Sequence, residues 1–187
     1  GSPGVGGEPN DAAAGVSRVR GYDAPMSTPE PLVFPPELQA PGTADAPFEA
    51  AIALAELPLG AMRRLSRGDL DLLVVHSEAG LAATDDRCPH MSAPFSEGRL
   101  DGCVLHCPLH RGSFDARDGE VVTFPSTGGL DADGEYRPTW TPEGSRAKPP
   151  LKPDDPKARA RAMTRVRRLR YYPLRVRDGV IEVAWPR

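Results

Sequence analysis

The feature that most constrains this 187-residue chain is a concentration of metal-binding side chains between Arg87 and Asp115. All three cysteines and three of the four histidines lie there. Four of them form two half-sites, Cys88-x-His90 and Cys107-x-x-His110, separated by sixteen residues. Thiolate and imidazole are the ligands that zinc and iron centres prefer. The fold must therefore bring two separated loops together around one metal centre.

Two kinds of metal centre fit these four ligands. A zinc ion could bind all of them in a tetrahedron, and the chain would then be a non-redox interaction module. Zinc fingers, however, usually pair Cys with Cys and His with His along the sequence, whereas each half here supplies one of each. This distribution suits an asymmetric two-iron cluster, in which Cys88 and Cys107 bind one iron and His90 and His110 bind the other.

The flanks of the two half-sites resemble a known family. The segments "RCPHMSAPFSEGRLDG" and "CPLHRGSFDARDGEVV" are similar to the two cluster loops of soluble Rieske-type [2Fe–2S] ferredoxins, and the likeness covers about residues 48–126 and 166–187. It implies an all-β fold, a small antiparallel β-sandwich with an inserted cluster-binding subdomain at about 86–118. It also implies a [2Fe–2S] cofactor held by Cys88, His90, Cys107 and His110, with both imidazole rings reaching solvent at the tip.

The same resemblance indicates a disulfide-free, low-potential type. Rieske subunits of respiratory complexes carry an extra cysteine in each loop, but Ala93, or a neighbour, and Leu109 occupy those positions here. Cys103 therefore has no disulfide partner, and we predict that it is a buried strand residue. High-potential members place hydroxyl donors where this chain has Gly112 and Phe114. Without them we expect a reduction potential near about −150 mV.

The function implied is one-electron transfer from a reductase to a terminal oxygenase or similar acceptor. An alternative is the Rieske small subunit of a multisubunit oxidoreductase such as a nitrite reductase. A self-contained oxygenase would need a second iron site of two histidines and a carboxylate. Only His76 and His106 remain for it. The chain is therefore expected to be an electron-transfer component of an oxidoreductase system with no catalytic residues of its own.

Composition divides the chain into an N-terminal segment and one domain. Residues 1–46 are rich in Gly, Pro, Ala and Asp and indicate an extended arm or a disordered tail, while 47–187 form the Rieske domain. Gly68-Asp69 and Asp178-Gly179 predict hairpin turns between apolar strands. A Pro- and Gly-rich insertion at about 126–165 interrupts the strand pattern, and "KARARAMTRV" after Asp155-Pro156 predicts a short helix.

Charge and cysteine content limit the partners and the compartment. A net charge of −3 and a pI near 5.8 argue against a nucleic-acid binder, and no stretch approaches the length of a membrane span. An odd number of cysteines favours a reducing compartment, which we take to be the cytoplasm. Residues 157–177 contain nine basic side chains and no acidic one. Together with Tyr136 and Trp140 of the insertion, they predict a docking surface within 126–177 for an acidic partner.

Overall fold

The computed structural model describes residues 28–147, 149, 151–152 and 154–186. Most of the regular structure in this part of the chain is antiparallel β-strand, accompanied by one α-helix and short 3-10 turns at Pro36–Leu38, Leu54–Glu56 and Phe95–Glu97. The elements are β1 (Phe48–Ala53), β2 (Met62–Arg67), β3 (Leu70–Ser77), β4 (Gly80–Asp85), β5 (Arg99–Asp101), β6 (Val104–His106), β7 (Ser113–Asp115), β8 (Val121–Thr123), β9 (Gly129–Leu130), β10 (Tyr136–Arg137), α1 (Pro156–Met163), β11 (Leu174–Arg177) and β12 (Val180–Ala184).

Two three-stranded sheets form the base of the molecule. One has the order β2-β3-β4 and the other the order β1-β12-β11. Both predicted hairpins are present, since Arg67 pairs with Leu70 and Arg177 pairs with Val180. Asp178 and Gly179 adopt φ values of 49° and 75°, which a type I′ turn requires at both central positions. The predicted all-β class and antiparallel sandwich are confirmed.

Strand β3 is buried on both faces, which explains its uninterrupted apolar run. Leu72 and Val74 pack into a core shared with β12. Leu73 and Val75 point the other way, into a second core that contains Phe95, Leu105 and Phe114. Because side chains alternate across a strand, only a continuous apolar sequence can serve two cores at once. The second core carries the sheet from which two of the candidate metal ligands, Cys107 and His110, project.

That third sheet has the order β5-β6-β7-β8. The prediction that Cys103 is a buried strand residue is wrong. Cys103 is only partly buried, in the two-residue turn between β5 and β6, where Gly102 adopts a φ of 58°. The turn rather than the strand contains Cys103 because Asp101 already pairs with Val104.

The insertion is more ordered than its composition predicts. Strands β9 and β10 pair within it, so the strand pattern does not stop entirely at residue 126. The predicted helix is present as α1, and the Asp155 carboxylate caps it by accepting a hydrogen bond of 2.7 Å from the Lys157 amide. None of the helices in the described ranges has the length and apolar character of a membrane span.

The described part of the N-terminal segment packs on the domain. Residues 1–27 of the predicted arm or tail lie outside the described residues. From Glu30 to Leu32 the backbone runs beside β4, with hydrogen bonds of 3.0 Å and 2.8 Å to Leu81. Phe34 then stacks on the buried ring of Tyr171, with 3.5 Å between ring centroids. This stretch therefore contributes side chains to the second core.

We predict that Phe34→Ala lowers the free energy of unfolding by about 3 kcal/mol, because it removes a buried aromatic ring and leaves a cavity against Tyr171. The neighbouring Val33 is 94% exposed and provides a matched control. Val33→Ala should change stability by less than about 0.5 kcal/mol. Urea unfolding monitored by circular dichroism measures both, and equal stability of the two variants would contradict a packed arm.

Candidate metal centre

Two loops carry the four predicted ligands. The first loop, residues 86–94, follows β4, and the second loop, residues 107–112, connects β6 to β7. Each loop is closed by the amide of its cysteine, which donates to the Ala93 carbonyl in the first loop and to the Gly112 carbonyl in the second, both at 2.8 Å. The backbone reverses at Ser92 and Arg111, each with a φ of 59°. Both loops thus turn tightly and direct their side chains toward each other.

The structure brings all four predicted ligand residues together as two like pairs. The thiols of Cys88 and Cys107 are hydrogen-bonded to each other, and both cysteines are buried. The rings of His90 and His110 meet edge to face, with centroids 4.9 Å apart. Each cysteine therefore faces the cysteine of the other loop, although the nearest candidate ligand in sequence is a histidine.

Burial and mutual contacts shift the pKa values of three of the candidate ligands. The hydrogen bond from Cys88 lowers the pKa of the Cys107 thiol to about 6, while the same contact and burial raise the pKa of Cys88. Burial, followed by the nearby His110 and Arg161, lowers the pKa of His90 to about 4. The contact with Cys88 therefore favours the thiolate at Cys107, and burial favours the neutral imidazole at His90, the forms in which these residues bind a metal.

A third loop, residues 124–128, covers part of this centre and was missed by sequence reasoning. Its Ser126 amide donates a hydrogen bond of 2.8 Å to the His110 carbonyl. The Thr127 hydroxyl lies 3.2 Å from Nε2 of His90. The expectation that both imidazole rings reach solvent is wrong for His90, which is only 6% exposed. The ring is covered because the start of the insertion folds back over the tip.

Buried carboxylates support the first loop. Both side-chain oxygens of Asp86 accept hydrogen bonds of 2.6 Å from Ser96, one from its amide and one from its hydroxyl. Asp71, on β3, accepts from Arg64, Ser66 and Arg87. The only signal in the sequence for this network is the acidic pair Asp85-Asp86 just before the first half-site, and it does not reveal the partners.

The remaining histidines lie outside the centre. Nδ1 of His76 is 2.9 Å from the Leu57 carbonyl, and His106 lies on β6 beside its pairing partner Ser113. Across the described residues, no three carboxylate, thiol or imidazole side chains are grouped so as to hold one metal ion. The candidate ligands form two pairs instead.

These observations define a class of protein. A pair of buried sulfur ligands beside a pair of imidazoles fits a cluster in which one iron takes two thiolates and the other takes two histidines. An antiparallel sandwich presenting such a centre on two loops is a small iron–sulfur protein of the electron-transfer class.

Comparison with known proteins agrees with this class. A family model described as the Rieske [2Fe–2S] domain matches residues 49–133. The ferredoxin component of the naphthalene 1,2-dioxygenase system of Pseudomonas aeruginosa is 36% identical over 77 residues, which are 41% of this chain and 74% of that protein. The 3-phenylpropionate/cinnamic acid dioxygenase ferredoxin subunit of Photorhabdus laumondii is 40% identical over 73 residues, 38% of this chain and 69% of that subunit.

A solved structure, the Sphingomonas yanoikuyae B1 ferredoxin, is 19% identical and aligns over 75% of this chain and 100% of its own, with a TM-score of 0.49. The two ferredoxin components are 36% and 40% identical to this chain, which covers 74% and 69% of their lengths. The chain therefore belongs to the Rieske [2Fe–2S] family. The predictions of the family, of the [2Fe–2S] cofactor and of one-electron transfer are confirmed.

Gly98 is a position where a side chain would disturb the centre. A Cβ atom there would lie 2.0 Å from the carbonyl oxygen of His106, next to Cys107. We predict that Gly98→Ala displaces β6, lowers the melting temperature by several degrees and reduces the iron content of the purified protein. The control is Gly68→Ala, at a φ of 56° with nothing within 4 Å of the new methyl group. It should cost only the backbone strain of about 1 kcal/mol and keep the iron.

Proposed function

We propose that Cys88 and Cys107 bind one iron of the [2Fe–2S] cluster and that His90 and His110 bind the other. The observation that carries this assignment is the pairing of thiol with thiol and imidazole with imidazole across the two loops. The cluster supplies one-electron redox chemistry when bound. The chain's own residues hold it in place, exclude water from its sulfur side and keep the His90 imidazole neutral.

We further propose that the electron passes from a reductase to a terminal oxygenase or a similar acceptor. The support is that the relatives are named as ferredoxin components of dioxygenase systems. No residue of this chain is assigned a catalytic role. Nδ1 of His76 is 2.9 Å from the Leu57 carbonyl, and His106 pairs with Ser113 on the neighbouring strand.

The domain boundaries and the compartment belong to the same proposal. We take residues 47–187 as one Rieske domain with a cluster-binding subdomain at about 86–118 and an insertion at about 126–165. Of the first 46 residues, predicted as an extended arm or a disordered tail, the described stretch from residue 28 onward is taken as an arm, which the contacts of Phe34 support. We place the protein in the cytoplasm, because none of its three cysteines forms a disulfide and cysteines without disulfides are typical of a reducing compartment.

The ligand assignment is tested by paired substitutions. The protein should contain about two irons and two sulfides per chain and give a rhombic EPR signal when reduced. Cys107→Ser and His110→Ala should abolish the normal cluster, because each removes half of the protein ligands of one iron. Cys103→Ser and His106→Ala, in the same segment, should retain it.

Metal analysis and EPR of these four variants distinguish the alternatives. Stoichiometric zinc without iron in the parent protein would establish the zinc module instead. Loss of the cluster in Cys103→Ser, with retention in Cys107→Ser, would refute the assignment of ligands while leaving the family intact.

The expected low potential has its own test. The ring of Phe114 is buried, and its Cε2 atom lies 3.6 Å from the position of a Cβ on Gly112 in the second loop. We predict that Phe114→Tyr raises the reduction potential by on the order of tens of millivolts, because a hydroxyl donor to a ligand sulfur stabilises the added electron. Protein-film voltammetry measures the shift. An unchanged potential in a variant with the parent EPR spectrum would contradict this explanation.

A further inference from the structure

The two imidazoles of the centre differ in their surroundings. Nε2 of His90 faces the Thr127 hydroxyl at 3.2 Å, and that ring is closed off from solvent. His110 is only partly buried, and it lines a cavity of about 480 Å³ formed between the second loop and the insertion. An acceptor that approaches the histidine side of the centre therefore meets His110 first.

This cavity is positively charged. Arg111, Arg146 and Arg161 line it, and we call it the arginine pocket. None of the three forms an ion pair with a carboxylate of the described residues, whereas Arg168, Arg170, Arg175 and Arg177 of the basic run all do. Carboxylates that folding brings near thus compensate four of the nine basic residues in 157–177. Arg111, Arg146 and Arg161 place unpaired charge beside His110, and the other basic residues of the run without an ion pair to a described carboxylate, Lys157, Arg159, Arg165 and Arg167, lie outside this pocket.

Arg111 is held in a costly conformation at this point. Its φ of 59° is in the left-handed region, which glycine adopts without strain and arginine does not. Strained backbone of this kind clusters at functional sites, where the surrounding structure holds it in place. Arg111 is the residue after His110 in the sequence, and both residues line the pocket.

Two aromatic side chains also line the cavity, and one of them, Trp140, is anchored by hydrogen bonds. Trp140 and Tyr136 are 38% and 56% exposed and line the same cavity. The Trp140 indole donates a hydrogen bond of 2.7 Å to the Phe124 carbonyl, and its amide donates to Ser126 at 3.0 Å. Trp, Tyr and Arg are the residue types enriched in the hot spots of protein interfaces, and all three types line this cavity.

We propose that the arginine pocket is the electron outlet of this chain, and that it accepts an acidic segment of the redox partner against Arg111, Arg146 and Arg161. The charge is complementary, because three guanidinium groups without a carboxylate partner among the described residues attract an acidic segment even though the whole chain carries a net charge of −3. One electron leaves by way of His110 and is gained by the acceptor, and no bond forms or breaks. This proposal rests on the proposed function and adds the exit route and the chemistry of the partner surface.

The experiment uses the dithionite-reduced protein and two small oxidants of opposite charge, anionic hexacyanoferrate(III) and cationic tris(phenanthroline)cobalt(III). Stopped-flow absorbance follows reoxidation in each case. The test variant combines Arg111→Gly, Arg146→Gln and Arg161→Gln. The control combines Arg63→Gln, Arg67→Gln and Arg177→Gln, which remove the same charge from strands of the base outside the pocket.

At low salt, hexacyanoferrate should oxidise the test variant roughly tenfold more slowly than the parent, because steering toward the outlet is lost. The control should stay close to the parent rate. Raising the ionic strength to about 1 M shortens the Debye length to about 3 Å and should bring parent and test variant together. The cobalt complex should oxidise the test variant at least as fast as the parent.

A competition experiment addresses the acidic segment itself. A short oligoglutamate peptide should slow hexacyanoferrate oxidation of the parent but not of the test variant. Free glutamate at the same carboxylate concentration should have little effect, since it cannot make several contacts at once. Equal inhibition by both would overturn a segment-sized site.

Equal slowing of test and control variants would also overturn the proposal, because net charge alone would then explain the rates. Iron content and the EPR signal of every variant are measured first. Absence of the iron cluster from the parent defeats the proposed function. An intact cluster with unchanged rates in the test variant defeats only the outlet.

Discussion

The structure depends on one strand that is buried on both faces. Leu72 and Val74 of β3 join the base sheets into one core, and Leu73 and Val75 join β3 to the sheet that carries the second loop. The third sheet, β5-β6-β7-β8, is made of three-residue strands and could not bury enough apolar surface alone. Its rigidity is provided by β3, and that rigidity keeps Cys107 facing Cys88.

Polar contacts then complete the alignment of the loops. Asp86, whose side chain is fully buried, holds the turn after the first loop through Ser96, while Asp71 holds Arg87 just before Cys88. Each buried oxygen that is named here has a donor, so the loop is anchored without leaving an unpaired charge. In the second core, Tyr171 ties the C-terminal segment to the end of β7 by donating to the Ala116 carbonyl at 3.1 Å. Segments far apart in sequence thus meet behind the centre.

The insertion changes which part of the centre can meet a partner. It begins as the third loop, where Ser126 and Thr127 contact the backbone of His110 and the ring of His90. It then returns through β10 and Trp140, which the Phe124 carbonyl holds in place. The sequence gives no reason to distinguish His90 from His110. In the structure, the ring of His90 is covered, whereas His110 lies beside a cationic cavity. The approach of a partner is therefore directed to one side.

The sequence alone determined which four residues meet in the candidate metal centre, the family of the chain and the two main hairpins. Those features depend on local spacing and turn chemistry, as in Cys107-x-x-His110 and Asp178-Gly179, and local rules suffice to predict them. Only the tertiary structure decided the place of Cys103, the packing of Phe34 on Tyr171 and the cover over His90. The last two depend on contacts between distant segments, and no local pattern in the chain encodes which partner a side chain will meet, whereas the place of Cys103 follows from the pairing of Asp101 with Val104. For the same reason the basic residues of 157–177 could be counted from the sequence, but their division into ion-paired and unpaired arginines follows from carboxylates that folding brings near.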